Sequence, residues 1–211
     1  MDAFVSEQID NSTLRSHPWT HMVENKQFIY IDFKKRPDLI RTSLEDLIPF
    51  KKWAFTEAFY SLIEWVNSSK SLLESNDCAF TDVEDNPDQQ YPFAKKCSGR
   101  LMILFRNLPE NCQQQSIQWL VNKLLIQVSS IKPGFKTGAI CASTSPTCFL
   151  SLGDGLDSGG MGYQVTLTFL AYGKNARRCY ENMQQVLETA QSSLQRINKS
   201  ILNGDVDALY N

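Results

Sequence analysis

Between Tyr163 and Ile197 the hydrophobic period changes from two residues to about 3.6, and few architectures accept that switch. In Tyr163–Tyr172, Val165, Leu167 and Phe169 alternate with Gln164, Thr166 and Thr168, the pattern of a strand with one apolar and one polar face. Asn175 is then placed to cap a helix whose stripe is Ala176, Cys179, Tyr180, Met183, Val186, Leu187, Ala190, Leu194 and Ile197. A half-polar strand next to a helix with one long apolar stripe suits helices stacked on one face of a sheet, the other face staying partly wet.

The rest of the chain extends this pattern. Phe28–Phe33 predicts a short edge strand, and a stripe from Trp53 to Val66 predicts a helix over about 50–67. Residues 70–98 carry Glu74, Asp77, Asp82, Glu84, Asp85 and Asp88 and predict a long acidic loop. Leu101–Phe105 is continuously apolar, as in a central strand covered on both faces. Pro109 and Asn111 open a helix striped by Ile117, Leu120, Val121, Leu124, Leu125, Val128 and Ile131, which Pro133-Gly134 closes.

Two strands near Thr137–Ser143 and Thr147–Leu152 are expected to form a hairpin across Ser145-Pro146, with a glycine-rich loop over Gly153–Gly162 after them. The predicted order is strand, helix, strand, helix, three strands, helix. That order excludes a doubly wound parallel sheet and gives an α+β fold: a mainly antiparallel sheet of four to five strands packed with about three long helices. Residues 27–202 form one domain in this reading, between an N-terminal arm at 1–26 and a tail at 203–211.

At 211 residues, with 42% apolar and 11% aromatic side chains, the chain can hold a core without disulfides or metals. Its 21 basic and 23 acidic residues leave a formal charge of −2, which argues against a nucleic-acid binder that depends on a cationic face. No secretory signal begins the sequence and no apolar run is long enough for a membrane span, so a cytoplasmic location is expected. The six cysteines, Cys78, Cys97, Cys112, Cys141, Cys148 and Cys179, then read as reduced thiols, and the Asn-x-Ser/Thr matches at Asn11, Asn67 and Asn198 as chance.

No motif carries an evident chemistry. The glycine-rich loop joins strand to strand, so it offers no helix N-terminus to a phosphate, and no Gly-Lys-Ser/Thr ends it. His17 and His21 are separated by Pro18, which spoils the helical spacing a metal pair needs. Glu74, Asp77 and Cys78 are the weak catalytic candidates, Cys97 beside Lys95 and Lys96 being the second thiol; a carboxylate beside a thiol raises its pKa. Lys51-Lys52, and Lys174 with Arg177-Arg178, mark predicted helix starts. No cofactor and no metal are expected.

What remains is a chain that works by presenting surfaces: a non-enzymatic interaction or assembly subunit, part of an oligomer or particle, or an inhibitor of a partner protein. The contact residues expected are Gly155, Gly159, Gly160 and Met161 in the glycine-rich hairpin, Leu209 and Tyr210 in the tail, and Trp19 in the arm. The alternative is an enzyme with a non-standard carboxylate and thiol site around residues 74–78.

Overall fold

The computed structural model describes residues 2–6, 15–17, 20–22, 28–30, 33–44, 54–87, 92–131, 136–149 and 160–204. Trp19, Gly155, Gly159, Leu209 and Tyr210 lie outside them. The strands are β1 (Asp2–Ser6), β2 (Arg15–His17), β3 (Thr20–Met22), β4 (Phe28–Tyr30), β5 (Leu73–Phe80), β6 (Glu84–Asp85), β7 (Lys95–Phe105), β8 (Gly138–Phe149) and β9 (Gly160–Gly173). The helices are α1 (Ile40–Leu44), α2 (Ala54–Asn67), α3 (Leu108–Asn111), α4 (Gln114–Ile131) and α5 (Ala176–Leu202).

The fold is α+β, and its sheet runs β1-β8-β9-β7-β5. Along β5-β7-β9-β8 each strand pairs antiparallel with its neighbour, whereas β1 and then β2 pair parallel with the outer edge of β8. Two stretches of the expected N-terminal arm are thus edge strands. Of the strand expected at Phe28–Phe33, the described Phe28–Tyr30 pairs with β3 in a separate two-stranded ribbon.

The pleat sorts the sheet into two faces. Val165, Leu167 and Phe169 of β9, Leu101, Ile103 and Phe105 of β7, and Ile140 and Ala142 of β8 join α2, α4 and α5 in one core. α5 lies centrally in this helical layer, against α2 on one side and α4 on the other, and it covers β9, the middle strand. α1 is clamped to α2 by Arg41, whose Nε lies 2.6 Å from Glu64 Oε1 and whose Nη1 lies 3.0 Å from Glu57 Oε2.

The described residues of the acidic segment 70–98 are mostly strand, and Asp88 lies outside them. β5 and β6 run antiparallel to β7 as the descending arm of one long hairpin, with Asn86 N donating to Ala94 O near its tip. The acids are held by cross-strand cations, Asp85 by Lys95 at 2.8 Å and Glu84 by Lys96 at 3.3 Å. Opposite charges facing each other across a ladder stabilise the pair that a loop reading treats as merely solvated.

The expected hairpin at Ser145-Pro146 is also absent, because β8 continues through it with Pro146 opposite Tyr163. β1 pairing ends at Ser143 and β2 pairing begins at Thr147, so among the described residues no strand pairs with that flank of β8 at Pro146. A strand tolerates a missing N–H at such a position.

Gly99 marks a tight spot in the hairpin. It pairs with Phe80, and a Cβ there would lie 2.6 Å from Phe80 Cδ1, well inside van der Waals contact. The ring covers the bare backbone of the glycine, an aromatic rescue, and is held by Phe59, edge-on at 4.4 Å, and Phe55 at 5.7 Å. Gly99→Ala is expected to destabilise by about 1–3 kcal/mol in urea melts. A Gly99→Ala/Phe80→Leu double variant should recover part of the loss, and strict additivity of the two changes would refute the steric account.

Candidate functional site

Glu74 and Asp77 are brought to the sheet face opposite the helices, and Cys78 is not. Glu74 pairs with Leu104 and Asp77 with Met102, both outside the main core, while Cys78 pairs with Leu101 inside it. A register shift between Ser75 and Asp77 inserts Asn76 as a bulge. The sheet itself therefore separates the candidate thiol from the candidate carboxylates. Burial in the apolar core pushes the Cys78 thiol well up from its ordinary value, the charge of Arg100 pulling weakly the other way. A thiol so held has almost no thiolate with which to attack.

On the opposite face the polar side chains bond to each other. Glu74, 1% exposed, forms an ion pair with Lys34. Asp77 meets Arg100 Nη2 at 2.9 Å. Asn76 Nδ2 donates to Gln164 Oε1, and Gln164 Nε2 donates to Ser145 Oγ at 3.2 Å and approaches Met102 Sδ at 3.3 Å. Gln164 is only 1% exposed. The residue read from alternation as lying on a wet face is thus the hub of a buried network, one in which Asn76 Oδ1 is left without a hydrogen-bond partner among the described residues. Among the described residues no group of three or more His, Cys, Asp or Glu is placed to hold a metal ion.

The remaining candidates are also occupied. Asp82 accepts from Tyr180 Oη at 2.7 Å. Cys97 and Cys179 are buried in the core with their thiols raised, Cys179 to about 11, chiefly by desolvation. The basic start of α5 forms an open depression of about 360 Å³ lined by Lys174, Asn175, Arg177, Arg178 and Glu181. Its two arginines are already engaged: Arg177 Nε reaches Glu181 Oε1 at 3.0 Å and Arg178 Nη1 reaches Oε2 at 2.5 Å, and these bonds hold Glu181 below the usual carboxylate range. Asn175 caps the helix as its sequence position implies, accepting from Arg178 N at 3.0 Å.

Asn67 and Asn198 have structural tasks. The Asn67 amide bridges Ser75 N and Ser75 Oγ, and Asn198 accepts from Leu72 N at 2.7 Å while donating to Lys70 O at 2.9 Å.

One surface lacks this saturation of charges. The row Gln114, Gln118, Asn122, Ile126 and Ser130 runs down the exposed side of α4 at four-residue spacing, flanked by exposed Gln115 and Ser129. At the chain's charged share of 21%, an 18-residue helix would carry about four charges; α4 has one, Lys123. That ammonium lies 5.7 Å from the centre of the Trp119 ring. Ile126 is 58% exposed at the lower end of the row. α5, by contrast, bears Arg177, Arg178, Glu181, Glu188, Arg196 and Lys199. The signal is present in the sequence as the run Asn111–Lys123, which is free of acidic side chains but lies beside the more conspicuous apolar stripe of the same helix.

Met161, exposed at the start of β9, is the one large apolar side chain described among the contact residues expected from sequence; Gly160 begins the same strand, opposite Phe149. No helix among the described residues is long and apolar enough to cross a membrane. The chain matches no known protein family, no curated protein and no solved structure.

Proposed function

We propose that this chain is a non-enzymatic protein-interaction or assembly subunit. The observation that carries the reading is how its polar groups are distributed. The candidate carboxylates Glu74 and Asp77 are tied to cations on the far sheet face and the candidate thiols Cys78 and Cys97 are sunk in the core, while one helix turns an uncharged surface outward. Depletion of charge with an apolar residue at hand is the compositional mark of an interface core.

The test is the molar mass of the purified chain together with what co-purifies from its native source. A stoichiometric complex, with itself or another protein, is expected. A chain that runs as a monomer and brings down nothing would remove the support for this reading. Divalent metals should leave the melting temperature unchanged; metal-dependent stabilisation above about 2 kcal/mol, abolished by Glu74→Ala or Asp77→Ala, would point instead to the enzymatic alternative.

A further inference from the structure

Cys97 on β7 and Cys179 near the start of α5 are both free thiols buried in the core. Each perturbs the other's proton affinity through a direct side-chain contact, so the two sulfurs meet where helix and sheet pack together. Cys78, equally buried on β5, feels the charge of Arg100 and no other thiol among the described residues.

The backbone is close enough for a bond. β7 pairs with β9 so that Cys97 lies opposite Ala171 and Lys95 opposite Gly173. The start of α5 comes down on this corner: a Cβ on Gly173 would lie only 2.7 Å from Cys179 N, so no side chain separates the helix backbone from the strand. Cys97 is one strand away, and adjacent strands are about 4.8 Å apart. A disulfide needs Cα atoms about 4.4–6.8 Å apart, closer than the roughly 10 Å that full side chains impose between stacked sheets, and the bare glycine supplies that approach.

We propose that Cys97 and Cys179 form a reversible disulfide that pins the start of α5 to β7, with a low-molecular-weight disulfide of the glutathione type as the oxidant. The Cys179 thiolate attacks one sulfur of oxidised glutathione and makes a mixed disulfide, and the glutathione thiolate that leaves takes up the proton Cys179 lost. The Cys97 thiolate then attacks the Cys179 sulfur and releases the second glutathione, which takes up the Cys97 proton. One disulfide is exchanged for another, and the protein has lost two hydrogens. Cys179 reacts first because its thiol is the less raised of the two and the charge of Lys95 favours its thiolate. Both sulfurs are covered in the closed fold, so exchange runs through local opening of the first turns of α5.

The bond would close a loop of about 80 residues and should lower the unfolding equilibrium constant at least about 30-fold. The full chain, both native in mild urea and refolded from strong urea, is equilibrated with oxidised and reduced glutathione, quenched with acid, alkylated and mapped by mass spectrometry without reduction. A Cys97–Cys179 cross-link is expected from both starting points, with Cys78 free and exposed Cys112 carrying glutathione as proof that the reagent is active. Urea midpoints should rise on oxidation and return on treatment with dithiothreitol. Cys97→Ser and Cys179→Ser should each abolish the cross-link and the rise, read as oxidised against reduced samples of the same variant so that its own stability cancels.

Glutathione adducts at positions 97 and 179 without a cross-link, or free thiols at both while Cys112 is modified, overturn the pairing. A bond to Cys78 instead overturns the assignment of partners. A cross-link seen only after refolding overturns its reversibility in the folded chain, and one that lowers the urea midpoint overturns the lock, since the bond would then strain the fold.

Discussion

Replacing Asn111 with leucine is expected to cost about 4 kcal/mol, from two buried backbone groups at about 1–3 kcal/mol each. Asn111 is fully buried in the short α3, and its side-chain amide faces the end of β7. Its Oδ1 accepts from Phe105 N and its Nδ2 donates to Phe105 O, each at 2.8 Å. The registered pairing of β7 with β9 stops at Ile103 and Val165, so this one amide supplies the bonds that another strand residue would have made. Leucine leaves both backbone groups dry and unpaired.

Asn111→Asp separates hydrogen bonding from shape. The carboxylate can still accept from Phe105 N, but it sets a second oxygen against the Phe105 carbonyl. Its loss should be at least as large as that of leucine despite near-identical volume. Urea melts of both variants decide the matter, and an Asp variant within about 1 kcal/mol of wild type would remove the amide from this role. With total stabilities of about 5–15 kcal/mol, either change should leave a visibly unfolded fraction under mild denaturant.

Alkaline pH is expected to destabilise the chain steeply. Cys78, Cys97 and Cys179 are buried and all three thiols are raised by desolvation, Cys179 to about 11. In the unfolded chain each loses its proton near pH 8.5. Above that pH the native state binds more protons than the unfolded one, so stability falls as pH rises, by about 1.4 kcal/mol per unit for each thiol.

Three thiols together remove about 4 kcal/mol between pH 9 and 10, and below pH 8 their contribution is fully present. Tyr180, raised first by burial and then by its bond to Asp82, adds to the loss beyond pH 10. Urea midpoints at pH 8, 9 and 10 under reducing conditions should drop steeply, and a triple variant with alanine at positions 78, 97 and 179 should drop much less. A wild-type midpoint that is flat from pH 8 to 10 would contradict the burial of these thiols.

The helices were the legible part of this sequence. The 3.6-residue stripes of α2, α4 and α5 are made by side chains that enter one core, so pattern and burial coincide. β5 was illegible for the opposite reason. Glu74, Ser75 and Asn76 look like loop residues, yet they are buried because Lys34, Asn67 and Gln164 reach them from far along the chain. Local composition cannot report partners that only the fold supplies. Pro146 reads as a turn for a similar reason, since the β9 pairing that carries β8 straight through it comes from a strand later in the chain. Cys78 was picked out by its polar sequence neighbours, and strand alternation then turned it away from them.

Among the described residues the middle strand β9 and the middle helix α5 come after every element they pack against, so a growing polypeptide lacks its keystone until those partners have been made. The β5–β7 hairpin can close early because its contacts are local, but the apolar sides of α2 and α4 have nothing between them until α5 emerges. β1 must wait through more than a hundred residues for β8. Synthesis thus leaves a long interval of exposed apolar surface, and premature termination anywhere before α5 yields a chain with no route to a closed core.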